Sequence, residues 1–172
     1  MSRTAAASGL SILRLVWRLV ERWCPRVRPS RTLPEEVMSA YSYMPATLAG
    51  HLAGIAVVTF LYWRLVPWAV LVPWLGIFAV MWGTRLTMKL RFKHVVMDST
   101  DDWLRWRLYW NLGSLSAGAL WGLTGWVFYP LGGGIQQTGL IVIVYTFSVV
   151  VVPVLATQPR MYLAFVGLCF LP

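Results

Sequence analysis

Charge is scarce in this chain of 172 residues, and acidic side chains are the scarcest of all. Charged residues make up 12% of the sequence and only six residues are acidic, whereas soluble domains carry about 25% charged residues. The chain is also 58% hydrophobic, so it lacks the polar surface that keeps an ordinary domain in solution. This composition excludes a soluble enzyme and predicts an integral membrane protein.

Residues that carry chemistry are also few. The two cysteines, Cys24 and Cys169, lie far apart in the sequence, which argues against a disulfide framework or a metal knuckle. No apolar run contains a carboxylate, and there is no Cys-x-x-Cys motif and no glycine-rich phosphate loop. We therefore predict no catalytic residue, no metal and no cofactor within these residues.

Five apolar runs dominate the sequence. A helix needs about 20 apolar residues to cross the hydrocarbon core of a bilayer. The last run has 12 residues and would rise only about 18 Å, so we expect the natural sequence to continue. The predicted fold is an all-α polytopic transmembrane helix bundle over residues 38–172, with spans at 45–65, 68–88, 108–129, 137–156 and, incomplete, 161–172.

Residues 1–37 have a different character. Arginines on one side of residues 10–23, with aliphatic and tryptophan side chains on the other, predict an amphipathic helix lying in the headgroup plane. The alternative is a helix packed on a soluble domain. The three prolines that follow, Pro25, Pro29 and Pro34, predict a basic linker, and no signal-peptide cleavage site is evident.

The distribution of positive charge predicts an orientation. Seven arginines precede the first span, six Lys or Arg residues lie between 85 and 107, and Arg160 follows the fourth span, whereas Arg64 alone lies on the opposite side. Because basic loops stay in the cytoplasm, the N-terminus and the middle connection are predicted to be cytoplasmic. Ser99 or Thr100 is expected to cap the helix after this connection. The net charge of +9 is assigned to contact with anionic membrane lipids, not to nucleic acid.

The third span carries the clearest candidate for a ligand pocket. Its polar and small residues project from nearly one face of the helix, with two tryptophans beside them. Such a face is typical of the wall of a small-molecule cavity, although a packing groove sealed by a neighbouring helix remains the alternative. The candidate pocket residues on this span are Trp110, Asn111, Ser114, Gly118, Trp121 and Gly122.

His51 is the other candidate pocket residue. It lies about a turn and a half into the first span, and ionisable groups at membrane depth are often functional. Two interpretations stay open: a haem, metal or proton-sensing role, or an ordinary hydrogen bond between helices.

Small residues predict where helices pack closely. In the first span Ala46, Gly50 and Gly54 recur at four-residue spacing, which lets two backbones approach. In the fourth span a second face, with a kink at the proline, is formed at seven-residue spacing by Gly139, Thr146 and Pro153.

Several short motifs resemble the N-terminal membrane sensor region of proteobacterial signalling proteins. They are Tyr43-Met44-Pro45 with Leu48 and Trp63, Trp103-Leu104-Arg105 with Trp110, Gly118-Ala119-Leu120-Trp121-Gly122, Pro159-x-x-Tyr162-x-x-Phe165, and Leu171-Pro172. In that family such regions precede histidine kinase, hybrid kinase or diguanylate cyclase modules. The chain departs from the pattern in its longer basic N-terminal segment and in ending inside the fifth run.

The resemblance implies a function. It implies a homodimeric input module in the bacterial inner membrane that relays a small, hydrophobic or membrane signal to a cytoplasmic effector or response regulator, most simply a sensor histidine kinase. The alternatives are the input module of a diguanylate cyclase and a non-enzymatic membrane subunit that scaffolds a larger complex. A transporter fragment and a haem or quinone redox protein are less favoured, because the spans carry few ionisable side chains.

Overall fold

The computed structural model describes residues 33–155 and 158–170, and every regular element in that part of the chain is helical. The predicted all-α class is therefore confirmed, while the predicted amphipathic helix at 10–23 lies outside the described residues. The helices are α1 (Leu33–Ser42), α2 (Met44–Tyr62), α3 (Trp68–Phe92), α4 (Thr100–Phe128), α5 (Gly134–Val150), α6 (Val152–Leu155) and α7 (Pro159–Phe170), with a 3₁₀ turn at Tyr129–Leu131.

Local sequence explains where the helices begin. Helix α1 is described from Leu33 onward, so part of the predicted linker is helical; a proline in the first turn of a helix forfeits no intrahelical hydrogen bond. Pro45 occupies the same position in α2, and Pro67 directly precedes α3. The predicted cap of α4 is confirmed: Ser99 Oγ accepts a hydrogen bond from the backbone N–H of Asp102 at 3.2 Å.

The fourth apolar run is not one continuous helix. Helix α5 ends at Val150, Val151 forms a turn, and the short helix α6 follows from Val152. Pro153 lies within α6, and a proline cannot donate to the carbonyl four residues earlier. The interruption lies where the sequence predicted a kink.

Helix α4 is the central element of the described part of the chain. It contacts α1, α3, α5 and α7, and α7 packs against it along much of its length. Hydrogen bonds hold α3 against its neighbours: Trp74 Nε1 donates to Thr124 Oγ1 of α4 at 2.8 Å, and Trp82 Nε1 donates to the Leu48 carbonyl of α2 at 3.1 Å. The larger core cluster lies among α2, α3, α4, α5 and α7, and a second cluster joins α1 to the first half of α4.

Two stretches are long and apolar enough to cross a membrane. One is Leu33–Tyr62, which takes α1 and α2 together, and the other is Trp68–Phe92. Helices α5 and α7 are apolar but shorter. By length and composition, the described part of the chain thus supports two of the predicted spans.

Candidate functional site

A small cavity lies where α2, α3, α4, α5 and α7 meet. Its volume is about 40 Å³, and a single water needs roughly 10–15 Å³ of such space. Apolar side chains form most of the wall, among them Ala117, Phe147 and Phe165. The polar part of the wall is formed by Thr47, His51, Arg85, Trp110 and Ser114.

His51 is fixed by α4 and α5. The side chain is 4% exposed, and its Nδ1 accepts a hydrogen bond from Trp121 Nε1 at 3.1 Å. The imidazole stacks on Phe147, with 5.2 Å between ring centroids, and Phe147 in turn stacks on Trp121 at 4.4 Å. Because Nδ1 accepts, the neutral imidazole carries its proton on Nε2, so the histidine retains one donor.

Arg85 is the charged group of the cavity. It lies on the inner face of α3 and is 4% exposed. Its Nη1 donates to the Gly113 carbonyl of α4 at 3.3 Å, and its guanidinium carbon lies 5.2 Å from the centre of the Trp110 ring. Within the described part of the chain its Nε has no hydrogen-bond partner, so the guanidinium is only partly satisfied by protein.

Two further polar atoms, both in the first half of α4, are buried and have no partner among the residues that the structure describes. Among the described residues, Trp110 Nε1 and Asn111 Oδ1 have no hydrogen-bond partner, although both residues are almost fully buried. Buried polar groups are nearly always paired, and an unpaired one costs about 1–3 kcal/mol. Buried polar atoms without a partner in the described part of the chain thus include those of Arg85 and Trp110, which line the cavity, and also Thr59 Oγ1 and Tyr62 OH, which do not.

The structure brings together four of the seven predicted pocket residues. His51, Trp110 and Ser114 line the cavity, and Trp121 holds His51 from behind. Asn111 is buried next to Trp110 without lining the cavity. Gly118 and Gly122 are directed elsewhere: a Cβ on Gly118 would lie 3.0 Å from Phe165 Cδ2, and Gly122 lines a separate apolar groove with Cys169.

The predicted packing residues fall into two groups. Gly50 and Gly54 face Phe147, and Gly139 faces Leu61, so these glycines form a seam between α2 and α5. Ala46 is exposed near the cavity mouth, and Thr146 is exposed and donates to the Val142 carbonyl of its own helix at 2.7 Å. The predicted seven-residue face of the fourth run thus packs through Gly139, whereas Thr146 does not join it.

Sequence reasoning missed Arg85. The charge count placed it in the hydrophilic connection between residues 85 and 107, whereas it lies inside α3 with its side chain among the helices. A signal was present, because Phe78, Met81 and Arg85 share one helical face at spacings of three and four residues, and all three are buried.

The described residues contain no group of three or more His, Cys, Asp or Glu side chains arranged to hold a metal ion. The polar groups that line the cavity are a guanidinium, an imidazole, an indole and two hydroxyl groups. Comparisons with protein-family models, with curated proteins and with solved structures found no match.

Proposed function

We propose that this chain is the membrane-embedded input module of a bacterial signalling protein, and that a small molecule in the cavity beside His51 and Arg85 is its signal. The observation that carries the proposal is a cavity lined by a guanidinium and an imidazole among otherwise apolar helices. A purely structural helix bundle gains nothing from a buried, partly satisfied guanidinium, because apolar residues of similar volume are commonly as stable or more so.

Burial supports the membrane part of this proposal. Only 28% and 22% of the most apolar windows of the two candidate spans are buried inside the protein, whereas the core helix of a soluble domain is mostly buried. Large apolar side chains project outward instead, for example Phe60 at 82%, Val80 at 71% and Trp126 at 67% exposure. Exposed apolar surface on this scale fits contact with lipid.

The proposed topology has about five crossings, with the N-terminus and the connection between α3 and α4 in the cytoplasm. It can be tested in chains whose native cysteines are replaced by serine. We expect Lys93→Cys to react with an impermeant maleimide only from the cytoplasmic side, and Gly134→Cys only from the opposite side. Labelling of both positions from one side would contradict this topology.

The packing supports a proposed route from the cavity to α7. Phe165 of α7 lines the cavity, and the same residue lies against Gly118 of α4, where an added Cβ would meet its backbone oxygen at 3.1 Å. A ligand that displaces Phe165 would shift α7 along α4. Ligand binding changes an equilibrium only through such a difference between two states.

This route gives a test of signalling in the intact protein. Because a leucine at position 118 would push α7 away from α4, we expect Gly118→Leu to change effector output at least tenfold and to make it independent of the signal. The matched control is Gly76→Leu, since an added Cβ there meets nothing within 4 Å. The readout is autophosphorylation or cyclase activity, and unchanged output in Gly118→Leu would rule out the route.

The alternative function, a non-enzymatic membrane subunit that scaffolds a larger complex, has less support once the packing of the glycines is known. It depended on glycine ridges available to another subunit, but Gly50 and Gly54 face Phe147 of the same chain. The homodimer therefore stays a prediction that rests on the sequence resemblance, and these two glycines are not its contact surface.

A further inference from the structure

We propose that the cavity beside Arg85 binds a small monovalent carboxylate of about three or four non-hydrogen atoms, such as formate or acetate. The identification of this anion as the signal rests on the proposed function, whereas its binding does not.

The site carries a positive charge that no described acidic residue is found to pair with. The ionisable groups close to Arg85 within the described part of the chain are Tyr41 and His51, and neither is negatively charged at neutral pH. The acidic residues of α4 lie at its start, and Gly113, which Arg85 contacts, follows Asp102 by 11 residues, or roughly 17 Å of helix.

A guanidinium buried in this position is stabilised by an anion that balances its charge. Transfer of an isolated charge out of water is costly unless the charge is paired and hydrogen-bonded. Arg85 lines the cavity, and within the described part of the chain the Gly113 carbonyl and the Trp110 ring contact only part of its guanidinium. A carboxylate suits such a guanidinium because its two oxygens match the fork of N–H donors.

The remaining wall supplies neutral donors. His51 presents Nε2–H, since its Nδ1 is taken by Trp121, and Ser114 contributes a hydroxyl to the same wall. The apolar side, including Ala117 and Phe165, suits hydrogen or a methyl group. A flat anion with one apolar end therefore matches the cavity better than a fully polar one.

The size of the cavity narrows the class of ligand further. A volume of about 40 Å³ has room for about three water-sized groups, which admits formate and acetate. Phosphate and sulfate are bulkier and carry more charge than one guanidinium neutralises. A lipid phosphate is excluded on the same grounds.

The test measures how ligands stabilise the purified full-length chain. A ligand that binds the folded state raises the thermal unfolding midpoint in proportion to RT ln(1 + [L]/Kd). In neutral-detergent micelles we expect sodium formate and sodium acetate to give saturable increases. Acetamide, which has the shape of acetate without its charge, and sodium sulfate, an ionic-strength control, should give none.

Variants separate the site from general salt effects. Arg85→Gln should weaken the acetate response at least tenfold, whereas Arg105→Gln, which alters an exposed arginine, should leave it unchanged. If Arg85→Gln does not fold, the variant Gly50→Ala provides the test. The added Cβ would lie 3.8 Å from Phe147 Cε1, which is ordinary contact, so this variant should fold. Because Gly50 lines the cavity, the added methyl group should narrow it and weaken acetate binding.

Four outcomes would overturn the proposal. They are no saturable response to either carboxylate, an equal response to acetamide, an unchanged response in Gly50→Ala, and a response seen only when anionic lipid is present. Failure of the proposed function can be distinguished from failure of this inference. If acetate binds but leaves effector output unchanged, the binding site is correct and the signalling role is wrong. If Gly118→Leu alters output but no carboxylate binds, this inference alone is wrong.

Discussion

Replacing Gly54 with alanine is expected to lower the free energy of unfolding by about 2 kcal/mol, the cost typical of overpacking a well-packed core. An added Cβ would lie 2.7 Å from Phe147 Cε2 and 2.8 Å from Trp121 Cη2, closer than real Cβ contacts come. Both atoms belong to rings that stack on each other, and Trp121 is completely buried, so either the ring stack or α2 would have to shift.

The matched variant is Gly50→Ala, one turn earlier on the same helix. Its Cβ would meet Phe147 Cε1 at 3.8 Å, which is ordinary contact, and alanine is favoured over glycine within a helix by up to about 1 kcal/mol. We therefore expect Gly50→Ala to be neutral or stabilising. Gly83→Ala, with nothing within 4 Å of the added atom, controls for helix propensity.

The measurement is the midpoint of unfolding in detergent, followed by tryptophan fluorescence. A second substitution, Phe147→Leu, should recover part of the loss in Gly54→Ala, because residues in contact give non-additive effects. Equal stabilities for Gly50→Ala and Gly54→Ala would show that the seam between α2 and α5 is not packed as described.

The positions of the helices were predictable because local chemistry determines them. A turn at Val66 and Pro67 predicts that the next helix begins at Trp68, and it does. Ser99, followed by two aspartates, predicts another helix start, and that helix begins at Thr100. Helix α4 begins eight residues before the predicted third span, at Thr100, whereas the span was placed from 108. A search for apolar runs excludes the charged first turns of such a helix.

The partners of each helical face were not predictable in the same way. The four-residue spacing of Gly50 and Gly54 predicts a close approach, but nothing local indicates that Phe147, almost a hundred residues later, fills it. Arg85 was ambiguous for a different reason: an arginine near the end of a span can extend its charged group toward water. Only the packing of α4 beside it shows that the side chain is buried.

Replacing Trp121 with phenylalanine is expected to cost about 3 kcal/mol, since it combines two losses. Trp121 is completely buried, so the smaller ring leaves part of a cavity. The change also removes the only donor to His51 Nδ1 found among the described residues, and a buried acceptor left unpaired costs about 1–3 kcal/mol. The comparison variant is Trp126→Phe, which alters a 67% exposed side chain and should change stability by less than about 0.5 kcal/mol.

A double-mutant cycle separates the two losses. In the His51→Leu background the acceptor is already gone, so Trp121→Phe should cost about 1–2 kcal/mol less than it does in the native chain. Additive effects would mean that the indole N–H and the imidazole do not interact, and that Trp121 matters only by its volume. Non-additive effects would show that the hydrogen bond from Trp121 to His51 helps to hold the imidazole against Phe147. The Nε2–H of His51 then remains free to donate to a ligand in the cavity.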